Sequence, residues 1–136
     1  MSFGTILEGS LLDLVFNDVE YILGPPMGGL YIALWIGNPG EMGTLGSEVS
    51  GGGYAREDAH GLWSAPIGSP LQVSNDTALV FPEATSNWGS ITHFGIFDVV
   101  SGAGLLAYGP LQGAPISIVQ GSIPRFAIGT IVVQLD

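Results

Sequence analysis

The sequence predicts a mainly β fold, an antiparallel β-sandwich or barrel with one short N-terminal helix. Short apolar segments recur from about residue 30 onward, and clusters of Gly, Pro, Ser and Asn separate them. Apolar residues at helical spacing occur in one place, near the N-terminus. Because 136 residues is the usual length of one domain, we expect residues 1–136 to form a single domain, with the helix at about 6–16 and the sandwich at about 30–136.

The first element is the predicted helix. Its apolar residues at helical spacing are Ile6, Leu7, Leu11, Leu14 and Val15. Thr5 can cap its start, and Asn17 with Asp18 can end it. The segment 24–29 (GPPMGG) prevents the helix from continuing, because Pro lacks a donor and Gly admits positive φ.

The periodicity changes to two in the segment 30–36 (LYIALWI). Both of its faces are apolar, which is typical of a strand covered on both sides. We therefore predict a core strand here. The other predicted strands are 54–59, 77–81, 91–98, 105–108, 116–119, 126–128 and 131–135.

Composition limits the possible partners. Charged residues make up 10% of the chain, against about 25% in a typical domain, and the mean hydropathy is +0.46. This excess of apolar surface indicates contact with other subunits. No apolar run approaches the roughly 20 residues of a membrane span, and no basic segment precedes an apolar one as in a secretory signal. We expect no membrane association, and synthesis and use without export by that route.

The charge excludes nucleic acid as a partner. The net charge is −10, with twelve acids, no lysine and two separated arginines, Arg56 and Arg125. Phosphate contacts need clustered basic side chains. A partner surface is expected to be neutral or basic, although the acidity is explained equally well as a means of staying soluble. The absence of cysteine leaves the redox compartment open.

The sequence offers little for catalysis, and we predict no enzyme, no cofactor and no metal site. His93 lies in a predicted strand on the face of Ile91 and Phe97, and Asp98 falls on the opposite face, so the two cannot form part of a triad. Residues 57–60 (EDAH) could hold a divalent cation, but their spacing matches no metal-binding motif, and an exposed loop is the preferred interpretation.

Two further local patterns have ordinary explanations. The segment 50–53 (SGGG) lacks the Gly-Lys-Ser/Thr ending of a phosphate loop and indicates a turn. Asn75-Asp76-Thr77 fits the glycosylation sequon by chance. Among the aromatic residues, we assign Phe97 to the core and Trp88 to a subunit contact. The candidate interface residues are Tyr54, Arg56, Trp88 and His93.

Several segments, taken in order, resemble a family of small phage virion proteins that are described as tail-fibre-like or head-decoration proteins. The most specific are 53–56 (GYAR) and 88–98 (WGSITHFGIFD). The other segments that carry the resemblance are 11–13 (LLD), 30–35 (LYIALW), 38–40 (NPG), 48–53 (EVSGGG), 81–85 (FPEAT) and 104–111 (GLLAYGPL). The chain departs from the family at 113–120, where a Thr/Lys-rich turn is usual and this sequence has no lysine.

The resemblance implies a structural protein of the phage virion, made in the bacterial host cytoplasm and located on the capsid surface or the tail. We expect a head decoration or cement protein, a homo-oligomer with a trimer preferred, which packs on a phage structural protein such as the major capsid protein. The alternative is a structural or host-binding module of a tail fibre or tail tip. Compactness and the absence of a repetitive shaft segment favour the first.

Overall fold

The computed structural model describes residues 2–17 and 29–134. Helix α1 spans Thr5–Asn17, one residue longer at each end than predicted. The Gly4 carbonyl accepts the Glu8 amide at 3.1 Å, so Gly4 is the cap residue and the prediction that Thr5 caps the helix is wrong. Of the predicted breaker segment 24–29, only residue 29 lies among the described residues, and Asp18 lies outside them.

Twelve short strands occur in the described part of the chain. They are β1 (Ser2–Phe3), β2 (Tyr31–Ile36), β3 (Ser47–Glu48), β4 (Glu57–Asp58), β5 (Gln72–Ser74), β6 (Leu79–Val80), β7 (Gly89–Ile91), β8 (His93–Phe97), β9 (Leu105–Pro110), β10 (Ile116–Ile118), β11 (Arg125–Phe126) and β12 (Val132–Gln134). The mainly β fold with one short helix is therefore confirmed.

All the strand pairs are antiparallel. The main sheet has six strands in the order β1-β9-β8-β2-β3, and β4 also pairs with β2. The remaining strands form three pairs, β10-β7, β11-β6 and β12-β5. The sheets do not close on themselves, so the barrel alternative is wrong and an open antiparallel arrangement holds.

The strand β2 is the core strand that the sequence predicts. Its side chains alternate between the two faces of the main sheet, with Ile32 and Leu34 on one face and Ala33 and Trp35 on the other. All four are buried. Both neighbours of β2 are strands, since β8 pairs along one edge and β3 and β4 share the other.

The two faces of the sheet carry hydrophobic clusters of different size. The large cluster includes Ile32 and Leu34 and extends to Phe126 and Ile131, so the three strand pairs pack over this face. The small cluster contains Ala33, Trp35, Phe97 and Leu105, and Trp35 stacks on Phe97 with ring centroids 5.9 Å apart. Phe97 is thus a core residue, as predicted.

Several strand predictions need correction. The predicted strand at 54–59 contains only β4, and the predicted strand at 91–98 is divided into β7 and β8 at Thr92. Thr92 leaves the ladder, donating its amide to the Trp35 carbonyl and accepting the Gly37 amide on its Oγ1. As a result, Ile91 packs in the large cluster while His93 pairs with Trp35. The prediction that Ile91 and His93 share a face is wrong.

Among the described residues, no helix is long and apolar enough to span a membrane.

Candidate functional site

The predicted interface residues Tyr54, Arg56 and Trp88 lie around one edge of β2. The strand β3 covers the Trp35–Ile36 end of this edge, and β4 covers the Tyr31–Ile32 end. Between them, the Leu34 carbonyl accepts the Val49 amide at 3.0 Å, and the Leu34 amide has no strand opposite it. The chain from Val49 to Arg56 arches over this gap.

Tyr54 completes the edge with a side chain instead of a strand. Its hydroxyl accepts the Leu34 amide at 3.0 Å and donates to Glu48 Oε1 at 2.8 Å. Burial, followed by the nearby Glu48 carboxylate, raises the pKa of Tyr54 well above its usual range, so the hydroxyl keeps the proton that it donates. The Tyr54 ring packs edge-on against Trp88, with centroids 5.4 Å apart.

Arg56 is buried and its guanidinium is held on several sides. Its Nε and Nη2 donate to the two oxygens of Glu48, each at 2.8 Å, in a bidentate ion pair. Its Nη1 donates to the Val99 carbonyl and its Nη2 also donates to the Gly102 carbonyl. The guanidinium carbon lies 3.7 Å above the centre of the Phe97 ring. Arg56 therefore ties β3 to the loop between β8 and β9 over the small cluster.

The glycine run 51–53 shapes the arch and fixes Trp88. The Gly52 carbonyl accepts Trp88 Nε1 at 2.8 Å and the Thr85 amide at 2.9 Å. Gly52 has φ near +59°, and a Cβ there would lie 2.4 Å from Ser86 Oγ and 2.9 Å from Trp88 Nε1. Because a larger residue would both strain the backbone and clash, this segment is a turn that the core requires.

His93 is half-buried at the start of β8. Its Nδ1 lies 2.8 Å from Thr92 Oγ1, and this is its side-chain partner among the described residues. Burial lowers the pKa of His93, which favours the neutral imidazole. The partner is a hydroxyl, but no carboxylate is hydrogen-bonded to His93 in the part of the chain that the structure describes, so the third group that orients the imidazole in a triad is missing there.

The acidic segment 57–60 does not form a metal centre in the described structure. Among the described residues, no three His, Asp or Glu side chains are close enough together to hold a metal ion. The Asp58 carboxylate accepts the His60 amide at 2.9 Å, which makes a local turn. Burial, and then the neighbouring Asp58, raises the pKa of Glu57.

The sequon-like Asn75 is a structural residue. It is buried, with 1% of its surface exposed. Its Nδ2 donates to the Thr77 and Ala127 carbonyls, both at 3.0 Å, and its Oδ1 accepts the Ile131 amide. A side chain with all these bonds inside the fold cannot carry a glycan.

The four predicted interface residues thus differ in the surface that they offer. Trp88 and Arg56 are buried within their own chain at 5% and 8% exposure, whereas Tyr54 and His93 are half-buried. Contact of any of them with another subunit stays a prediction. The sequence reasoning missed Glu48, which binds both Tyr54 and Arg56; its only sequence signal is its place in the segment 48–56.

The exposed surface carries features that the sequence reasoning did not single out. Large apolar side chains that are more than half exposed include Phe16, Met42, Leu45, Ile67, Ile123 and Ile128. Arg125 is exposed, and among the described residues its guanidinium has no ion-pair partner.

The described geometry defines a class of protein: a β-rich scaffold whose buried polar side chains hold strands and turns together, with apolar surface left exposed. A family profile described as podophage GP4 fiber I protein gp80 matches residues 2–134. The chain therefore belongs to this family of phage fibre proteins, and it is a structural protein of the phage virion. The comparison with curated proteins gave no match.

Proposed function

We propose that this chain is a structural module of a phage tail fibre that assembles as a homo-oligomer. The observation that carries the proposal is the match of the fibre family over residues 2–134. The sequence alone favours a head decoration protein that packs on the major capsid protein. The fibre description favours the alternative instead, and a chain without a repetitive shaft segment fits the base or knob of a fibre.

Assembly is supported by the distribution of apolar side chains. Phe16, Met42 and Ile128 are between 67% and 76% exposed in the isolated chain. Charged residues make up only 10% of the sequence, so little charge is available to offset this exposed apolar surface. Homo-oligomers close by symmetry as a rule, and a trimer is preferred because tail fibres are commonly three-fold.

The proposed role involves no catalysis. A histidine that activates a hydroxyl needs a third group to orient it, and His93, the more buried of the two histidines, is bonded to the Thr92 hydroxyl with no carboxylate beside it among the described residues. Turnover of esters or bacterial polysaccharides that His93→Ala abolished, with the fold intact, would contradict this part of the proposal.

Labelling of virions tests the location. Gold-conjugated antibodies against the purified protein should mark the tail in electron micrographs, and quantitative mass spectrometry should give few copies relative to the major capsid protein. Antibodies against the major capsid protein provide the control, since they should mark the whole head. Label spread over the head, with copies comparable to those of the capsid protein, would establish the decoration role and contradict the tail-fibre proposal.

A further inference from the structure

The proposed homo-oligomer leaves open which surfaces of two copies meet, and Arg125 gives the starting point. It is one of two arginines in a chain of net charge −10 that has no lysine, and the other, Arg56, is buried against Glu48. Arg125 is therefore the arginine that each copy presents to its surroundings. Any attractive charge pair between two copies that involves an arginine side chain at the surface must use Arg125.

Arg125 lines an open groove between β10 and β11, with a volume of about 360 Å³. We call it the Arg125 groove. Its other lining residues include Gln112, Ile116, Ser117, Ser122 and Thr130. Ile123 and Ile128, next to lining residues in sequence, are 60% and 67% exposed. The groove thus combines one guanidinium, several hydroxyl and amide groups, and apolar side chains.

The loop at residues 38–46, here the Glu41 loop, has the complementary composition. Glu41 is exposed, and Met42 and Leu45 are 73% and 62% exposed. Glu41 is thus an exposed carboxylate with two large apolar side chains that are more than 60% exposed within four residues of it. A carboxylate with apolar neighbours matches a guanidinium with apolar neighbours.

The Glu41 loop is held in one conformation by hydrogen bonds. The Leu45 amide donates to the Pro39 carbonyl at 3.0 Å, and the Leu45 carbonyl accepts Trp35 Nε1 at 2.8 Å. The Glu41 carbonyl accepts the Thr5 amide at 3.2 Å. The exposed side chains are therefore presented by a fixed backbone, which lowers the entropy lost on binding.

The loop and the groove lie on different sides of the main sheet. The loop is bonded to Trp35, a member of the small cluster on one face. The floor of the groove includes Phe126, a member of the large cluster on the other face. A copy that binds the loop of its neighbour in its own groove therefore still presents its own loop to a third copy. Such a heterologous contact builds a ring when the rotation closes.

We propose that the Arg125 groove of one copy binds the Glu41 loop of the next copy. Glu41 would pair with Arg125, and Met42 and Leu45 would pack against apolar side chains that line the groove, such as Ile116. The occupant is a second copy because charge complementarity favours it. A carboxylate that enters the groove meets the one surface arginine of an otherwise acidic chain. Elsewhere on the neighbour, the charged side chains of Asp, Glu, Lys and Arg that the structure describes at the surface are acids.

A charge-swap cycle tests this contact. Arg125→Glu and Glu41→Arg should each weaken self-association about tenfold or more, and the double variant should recover most of the loss, because opposite charges again face each other. The double variant also keeps the wild-type net charge of −10. Association constants come from sedimentation velocity, and circular dichroism spectra should be unchanged because both side chains are exposed.

Glu83→Arg is the matched control for Glu41→Arg. Glu83 is exposed, and its replacement changes the net charge by the same amount. If Glu41→Arg behaved like Glu83→Arg, the proposed contact would be wrong while the homo-oligomer stood. The same conclusion would follow if the double variant showed the two single losses added together. Equal association of wild type and Arg125→Glu would also overturn the contact. A wild type that stayed monomeric would overturn both proposals.

Discussion

The two arginines of this chain occupy opposite kinds of environment. Arg56 is buried, paired with both oxygens of Glu48 and stacked on Phe97. Arg125 is exposed in an open groove, and its guanidinium has no ion-pair partner in the described structure. Placing a charge in the interior stabilises a fold only when every donor is matched, whereas an exposed charge costs little and remains available to a partner. The first arginine therefore serves the fold, and the second remains available to a partner, as the proposed contact with Glu41 requires.

Replacing Arg56 should have the largest effect on stability. Arg56→Ala leaves the Glu48 carboxylate without its partner and removes the contact over Phe97. Breaking a buried pair typically costs about 3–5 kcal/mol, and the lower end is expected because Glu48 keeps 24% side-chain exposure. Urea denaturation gives the free energy of unfolding.

Arg125→Ala is the matched control, expected to change the free energy of unfolding by less than about 0.5 kcal/mol. Arg56→Lys should also destabilise, because an ammonium cannot form the bidentate pair. Equal losses from Arg56→Ala and Arg125→Ala would remove the distinction between the two arginines.

Loss of the Tyr54 hydroxyl should destabilise the protein less than loss of the Arg56 side chain, which belongs to the same hydrogen-bond network. Tyr54→Phe removes the acceptor of the Leu34 amide and a donor to Glu48, and a buried donor left without a partner costs about 1–3 kcal/mol. Tyr31→Phe serves as the control, since its hydroxyl has no hydrogen bond among the described residues. Indistinguishable stabilities for the two variants would mean that water replaces the Tyr54 hydroxyl at the edge of β2.

The smallest effect should come from Glu57, and it should depend on pH. Its folded-state pKa is raised by burial and by Asp58, so its favourable contribution is complete below the unfolded pKa of about 4.3 and is lost as the pH rises through the folded value. Glu57→Gln should therefore raise the melting temperature slightly at neutral pH and have no such effect in acid. Glu83→Gln, at an exposed position, is the control. A gain that was equal at both pH values would contradict the titration of Glu57 as its cause.

The sequence predicted the parts of the fold that depend on local pattern. The strand β2 was found because alternation with two apolar faces requires cover on both sides, and helix α1 was found from its spacing. The segment 54–59 was mistaken for a strand because its composition suits one. In the structure, the hydroxyl of Tyr54, the first residue of this segment, accepts the Leu34 amide of β2 and donates to Glu48. Neither partner can be read from the composition of the segment.

The candidate site was harder to predict because its partners are distant in sequence. Arg and Trp are enriched in interfaces, yet the same side chains are equally suited to internal sites, as Arg56 and Trp88 show. The carbonyls that hold Arg56 belong to Val99 and Gly102, 43 and 46 residues away. No spacing rule places those carbonyls beside a guanidinium, and the exposure of Arg125 and the Glu41 loop likewise appears only in the folded chain.

Sedimentation velocity of the wild-type protein across a salt series tests the central claim, that this chain carries its exposed surface for contact with its own copies. Subunits of charge −10 repel over a Debye length of about 8–10 Å near physiological ionic strength, and salt screens this repulsion while apolar burial remains. Screening also weakens a single Arg125–Glu41 pair, whereas the apolar burial at the same contact is not screened. The account predicts a closed oligomer, a trimer by preference, whose population rises with salt. A monomer at every salt concentration, at protein concentrations on the order of tens of micromolar, would contradict it.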